Sequence, residues 1–100
     1  MISDYVSDFI GLRVKVVKHS NINNVGKSGT VVRESARMIS LREIKRTIQI
    51  PKATAEFSME NGTRAFNIIG DAVVMRPEER LKNYRKIAKN LRIGRGDKHY

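Results

Sequence analysis

The stretch VGKSGTVV, Val25 to Val32, combines the tail of a phosphate-binding P-loop with the body of a turn and strand, and the choice between them decides the fold. A P-loop has the form G-x-x-x-x-G-K-[ST] and opens a helix whose N-terminal N–H groups hold phosphate. With Gly26, Lys27 and Ser28 in its last positions the first glycine would fall at residue 21, which is Asn21. Thr30, Val31 and Val32 follow, and such stiff β-branched side chains suit a pleated strand better than a first helical turn. The octet therefore reads as a turn leading into a strand, with Gly26 and Gly29 as turn residues.

Working outward, LRVKVVK alternates Leu12, Val14 and Val16 with Arg13 and Lys15, the period of a strand with one buried face and one wet, basic face. Downstream come the short runs GTVVRE, MISLREI, RTIQI, AEFSM, TRAFNII and DAVVM, separated by polar or turn-forming residues. This spacing predicts a mainly β chain, a small antiparallel barrel of about six strands. Asn61-Gly62 suggests a type I′ hairpin turn, and Pro51, which cannot donate to a ladder, a strand end or edge.

Helical patterns flank the barrel. Ile2, Tyr5, Val6 and Phe9 recur at spacings of three and four behind a capping Ser3, until Gly11 breaks the pattern. Pro77 suits a first helical position, Glu78 and Glu79 the first turn, and Gly94 a stop. The chain thus divides into an N-terminal helical segment (1–10), a barrel (11–76), a longer C-terminal helix (77–93) and a frayed tail (94–100), all within one domain. On the C-terminal helix Leu81, Tyr84, Ile87, Ala88 and Leu91 share one face, while Lys82, Arg85, Lys86, Lys89 and Arg92 share another. Arg80 falls among the apolar positions, where its stem can cover hydrophobic surface while its head reaches a carboxylate or phosphate.

The chain has no cysteine and only His19 and His99, which argues against disulfides and against a metal site of its own. No apolar run has the length of a membrane span, and two aspartates stand where a secretory signal would carry positive charge. A soluble, cytoplasmic protein is expected. Its 20 Lys and Arg outnumber 10 Asp and Glu, and the net charge of +10 makes a polyanion the expected partner. Asp4, Asp8, Glu34 and Asp71 lie in different elements without metal-ligand spacing and read as exposed, solubilising carboxylates; no catalytic constellation is visible.

The order Ile10-Gly11-Leu12, Val14, Val16, Ser20-Asn21, Val25-Gly26, Gly29-Thr30-Val31-Val32, Glu34, then Ile50-Pro51-Lys52, Phe57, Gly70 and RPEER from Arg76 to Arg80, resembles archaeal ribonuclease P protein component 1 over nearly the whole chain. The stretch SARMISLREIKR after Glu34 is more basic than that pattern. The resemblance implies an Sm-like or SH3-like barrel flanked by helices, acting as a non-catalytic subunit of the ribonucleoprotein that cleaves the 5′ leader from precursor tRNA. It further implies a catalytic ribonuclease P RNA, with which Mg2+ is expected, and a second, zinc-ribbon protein subunit docked through the terminal helices.

The strand pattern and the resemblance together nominate Arg13, Lys15, Lys18, Asn21, Lys27, Arg33, Lys52 and Arg76 as RNA-binding residues, the last two by carry-over from the IPK and RP positions. Tyr5, Phe9, Arg80, Leu81, Tyr84, Ile87 and Leu91 are the candidate protein-partner residues, with Leu81 and Tyr84 expected to pack near the barrel and Leu91 less so. With three Phe and three Tyr, base stacking is not the expected mode of recognition. A ribosomal protein with an SH3-like barrel and a basic protein-interaction adaptor are the alternatives.

Overall fold

The computed structural model describes residues 2–94, with side-chain surroundings for residues 3–91. The expected tail from residue 95 onward, and the Arg92 side chain of the expected basic helix face, lie outside this range.

Six strands form one antiparallel sheet: β1 (Arg13–Lys18), β2 (Ser28–Glu34), β3 (Met38–Arg42), β4 (Thr47–Pro51), β5 (Glu56–Asn61) and β6 (Arg64–Ile69). Their order is β4-β3-β2-β1-β5-β6, so the four residues 52–55 between β4 and β5 carry the chain from one edge of the sheet to a place against β1. A flat sheet of six strands would be about 24 Å wide. Yet Ile50 of β4 and Ile68 of β6, from opposite edges, share one core with Val14, Val16, Val31, Ile39, Leu41, Phe57 and Met59. The sheet must therefore curl into a barrel. Register shifts between Val16 and Lys18 and between Val31 and Arg33 mark irregularities of the kind that bend strands.

The expected alternation in β1 is present, with Val14 and Val16 buried and Arg13 and Lys15 exposed. Gly26 is a turn residue with φ +89°. Gly29, expected in that turn, instead lies within β2, where a Cβ would stand 2.6 Å from the Arg42 carbonyl oxygen. The β5–β6 hairpin also differs from expectation. Asn61 pairs with Arg64, which leaves Gly62-Thr63 as the two-residue loop, and only Gly62 has positive φ, +65°. That is the pattern of a type II′ rather than a type I′ turn.

DAVVM does not form a seventh strand. Gly70–Val73 is a 3₁₀ turn that buries Ala72 and Val73; periodicity alone does not separate a short apolar run of this kind from a strand. At the N-terminus α1 spans only Ile2–Tyr5, so Ser3 lies inside it and does not cap it. The C-terminal helix is interrupted: α2 runs Pro77–Lys82 and α3 runs Tyr84–Gly94. Asn83, with φ −104° and ψ 21°, directs its side-chain amide to the Glu79 carbonyl, 2.8 Å away, which also receives the Asn83 backbone N–H. Local competition of this kind disturbs helices at asparagine.

Both termini dock on the barrel. The Ile69 N–H donates to the Tyr5 hydroxyl at 2.8 Å, which ties α1 to the end of β6. Phe9 and Ile87 are fully buried in the common core.

Candidate nucleic-acid interface

Cross-strand pairing assembles the basic face. Residues directly opposite in a ladder project to the same side of a sheet. Arg13 pairs with Thr30 on one side and Glu60 on the other, and Thr30 pairs with Arg42, which pairs with Thr47. Two guanidinium-bearing positions therefore stand in one row, two strands or about 10 Å apart, with a threonine between them. The next row reads Ser28, Lys15, Ser58, Asn67. Hydroxyls, an amide and cations are all groups that donate to phosphate oxygens.

The other nominated basic residues are differently placed. Lys18 is exposed and faces Glu56 at 3.8 Å, while Arg33 is exposed beyond the register shift in β2. Lys27 is half-buried, and its carbonyl accepts from Val16 N–H at 2.8 Å. The Asn21 side chain is engaged locally, accepting from Asn23 N–H at 3.0 Å to cap a 3₁₀ turn. Arg76 is exposed at the start of α2, where its N–H donates to the Glu79 carboxylate at 3.0 Å. Arg42 was not nominated, although the basic excess of SARMISLREIKR was the signal for it.

Lys52 departs most from expectation, for its side chain is fully enclosed. Its ammonium donates to Glu34 Oε2 at 2.8 Å and to the carbonyls of Val73 and Met75 at 3.0 and 2.9 Å. It offers no surface to an RNA phosphate. Burial pushes its pKa below the usual lysine range, an effect opposed by the Glu34 carboxylate.

Arg80 shares that carboxylate. Its Nη2 and Nε donate to the two Glu34 oxygens at 2.8 and 3.1 Å, and its Nη1 donates to the carbonyls of Tyr5 and Ser7 at 2.8 and 2.6 Å. The guanidinium carbon also lies 3.8 Å from the centroid of the Phe9 ring. Arg80 is thus an internal clamp between the N-terminal segment, β2 and α2. Glu34, expected to be an exposed solubilising group, is the common anion, with its side chain fully enclosed. Asp4 is likewise buried and pairs with Arg64 of β6.

The expected partner face is redistributed by this clamp. Tyr5, Phe9, Arg80 and Ile87 are buried within the chain. Leu91 packs partly against the core, whereas Leu81 and Tyr84 are 66% and 44% exposed. That reverses the expected order along the helix. The physical reason is that α2 turns Arg80 inward, with Leu81 about 100° away from it, while α3 turns inward the face that carries Ile87 and, one turn on, Leu91.

Residues 5–83 match the family model for ribonuclease P/MRP, subunit p29. The chain is 34% identical to ribonuclease P protein component 1 of Thermoplasma acidophilum over 88% of this chain and 97% of that one. The corresponding protein of Haloarcula marismortui is 37% identical over 76% of this chain and 81% of that one. Among solved structures, Mth11, a homologue of human RNase P protein Rpp29, superposes with a TM-score of 0.59 at 32% identity, over 73% of this chain and 96% of that one.

Proposed function

The chain belongs to the ribonuclease P/MRP subunit p29 family, and from that premise we propose that it is a non-catalytic subunit of ribonuclease P whose outer β1–β2 face neutralises phosphates of the catalytic RNA. Membership implies a holoenzyme of RNA and further protein subunits. The observation that carries the RNA-binding role is the row in which Arg13 and Arg42 flank Thr30, beside the row containing Ser28 and Lys15. Clustered cations and hydroxyls on a sheet form an electrostatic footprint that holds a folded RNA without reading its bases.

Precursor tRNA is then the substrate of the assembly, and phosphodiester cleavage belongs to the RNA. The Mg2+ required for cleavage is proposed to act with the RNA. A zinc-ribbon protein subunit is the proposed protein partner, and the exposed Leu81 and Tyr84 are its proposed docking residues. Among the described residues no helix is long and apolar enough to cross a membrane, and the cytoplasm is the proposed setting.

Reconstitution tests this reading. Ribonuclease P RNA is assembled with the other protein subunits, with and without this chain, and precursor tRNA cleavage is followed. Faster cleavage or a lower Mg2+ requirement on adding the chain is expected; cleavage by the chain without RNA, or indifference to it, contradicts the proposal.

A further inference from the structure

At the start of β2, between Arg13 of β1 and the β3–β4 hairpin, an open groove of 560 Å³ is lined by Arg13, Ser28, Gly29, Arg42 and the hairpin residues 43–46. Its charge is lopsided. Arg13, Arg42, Lys45 and Arg46 face the single acid Glu43, and Glu43 is engaged by Arg46 Nε at 2.8 Å. Among the described residues Arg13, Arg42 and Lys45 form no ion pair. The hairpin is also braced: Glu43 N–H donates to the Arg46 carbonyl at 2.8 Å, and Arg42 pairs with Thr47. Ile44 and Lys45 are thereby held at the tip, with Ile44 fully exposed. A second groove, lined by Arg13, Val14, Lys15, Ser28, Ser58 and the acid Glu60, shares Arg13 and Ser28 with the first.

We propose that the groove between β1 and the β3–β4 hairpin is a second RNA-phosphate site, in which Arg42 and Lys45 grip the backbone from the side opposite Lys15, with Arg13 common to both. Arg13 and Arg42 stand on ladders either side of β2 and Lys45 on a braced turn, so little ordering of the backbone opposes binding. The guanidiniums of Arg13 and Arg42 add fork-shaped donors suited to paired phosphate oxygens. The site converts a flat basic face into a cleft that holds the backbone from two sides, which a solubilising charge excess does not require.

The inference rests on the proposed RNA-binding role, and the test separates the two. Binding of the full chain to ribonuclease P RNA is titrated across salt for wild type, R42Q/K45Q and K15Q/K18Q, with R42K/K45R as the charge-preserving control and melting curves to establish folding. Arg46 is left intact because it braces the loop. If both phosphates are lost, R42Q/K45Q should flatten the slope of log K against log salt by about 1.4, at about 0.7 per contact, and R42K/K45R should restore it. Unchanged affinity and slope in a folded R42Q/K45Q, with K15Q/K18Q weakened, overturns the hairpin site and removes Arg42 from the proposed interface, while the part built on Arg13 and Lys15 stands. Absence of salt-dependent binding in the wild type overturns the RNA-binding role as well. If I44A or R42Q/K45Q loses a protein subunit while RNA affinity is intact, the groove is a protein surface and the proposal fails.

Discussion

Arg80 grips Glu34 across 46 residues of sequence through two parallel hydrogen bonds of 2.8 and 3.1 Å, both side chains being essentially withdrawn from water. Lys52 joins the same carboxylate, so two cations share one anion, and the carbonyls of Tyr5, Ser7, Val73 and Met75 complete their hydrogen bonding. Replacing Glu34 by Gln strands both cations. Breaking a buried ion pair by removing one partner costs about 3–5 kcal/mol. Urea unfolding of E34Q should show a loss of that order; a change below about 1 kcal/mol would mean that the cluster contributes little to stability.

Gly29 of β2 packs directly against β3, with the Arg42 carbonyl oxygen 2.6 Å from the position of a Cβ. Overpacking against backbone costs about 1–3 kcal/mol, so G29A should lower the melting temperature clearly. Lys27→Ala, two residues away, replaces a half-buried side chain with no ion pair among the described residues and should stay within about 0.5 kcal/mol. Equal effects in the two variants would contradict this account of the glycine.

Acid should loosen the N-terminal segment. The Arg64 guanidinium hydrogen-bonded to Asp4 holds its carboxyl below the usual value of 3.8, against the opposing effect of burial. A depressed carboxylate pKa contributes stability that is present above the unfolded value and is lost as pH falls through the folded one. Wild type should therefore lose more stability than Asp4→Asn between about pH 5 and about pH 2. Parallel pH profiles for the two proteins would remove Asp4 from the account.

Leu81 and Tyr84 face outward from α2 and α3, whereas Ile87 is fully buried. Leu81→Ala together with Tyr84→Ala should reduce co-purification with the proposed zinc-ribbon subunit while leaving the melting temperature near that of wild type. Ile87→Ala should instead destabilise the chain by about 2–5 kcal/mol, the cost of a large-to-small change in a core. Loss of RNA binding with retained partner binding in the double variant would reverse the assignment.

The barrel was legible because alternation survives in single strands: Leu12, Val14 and Val16 pointed inward before any partner strand was known. Register was not legible, and so Arg42 could not be set beside Arg13, since their alignment runs through Thr30 of an intervening strand. The apolar run of DAVVM carried no period that distinguishes a 3₁₀ turn from a strand. Lys52 and Glu34 looked like surface charges because their pairing spans 18 residues and exists only after the chain has curled. Arg80 left a partial signal, a cation among the apolar positions of a helix, which implied a carboxylate or phosphate for its head group. The carboxylate is Glu34.

The RNA-binding role is tested most directly by the salt dependence of wild-type binding to ribonuclease P RNA, measured beside an unrelated folded RNA of similar length. With five or six phosphates engaged, log K should fall against log salt with a slope of about −4, and the unrelated RNA should bind more weakly. A flat dependence, or equal affinity for the two RNAs, would contradict it.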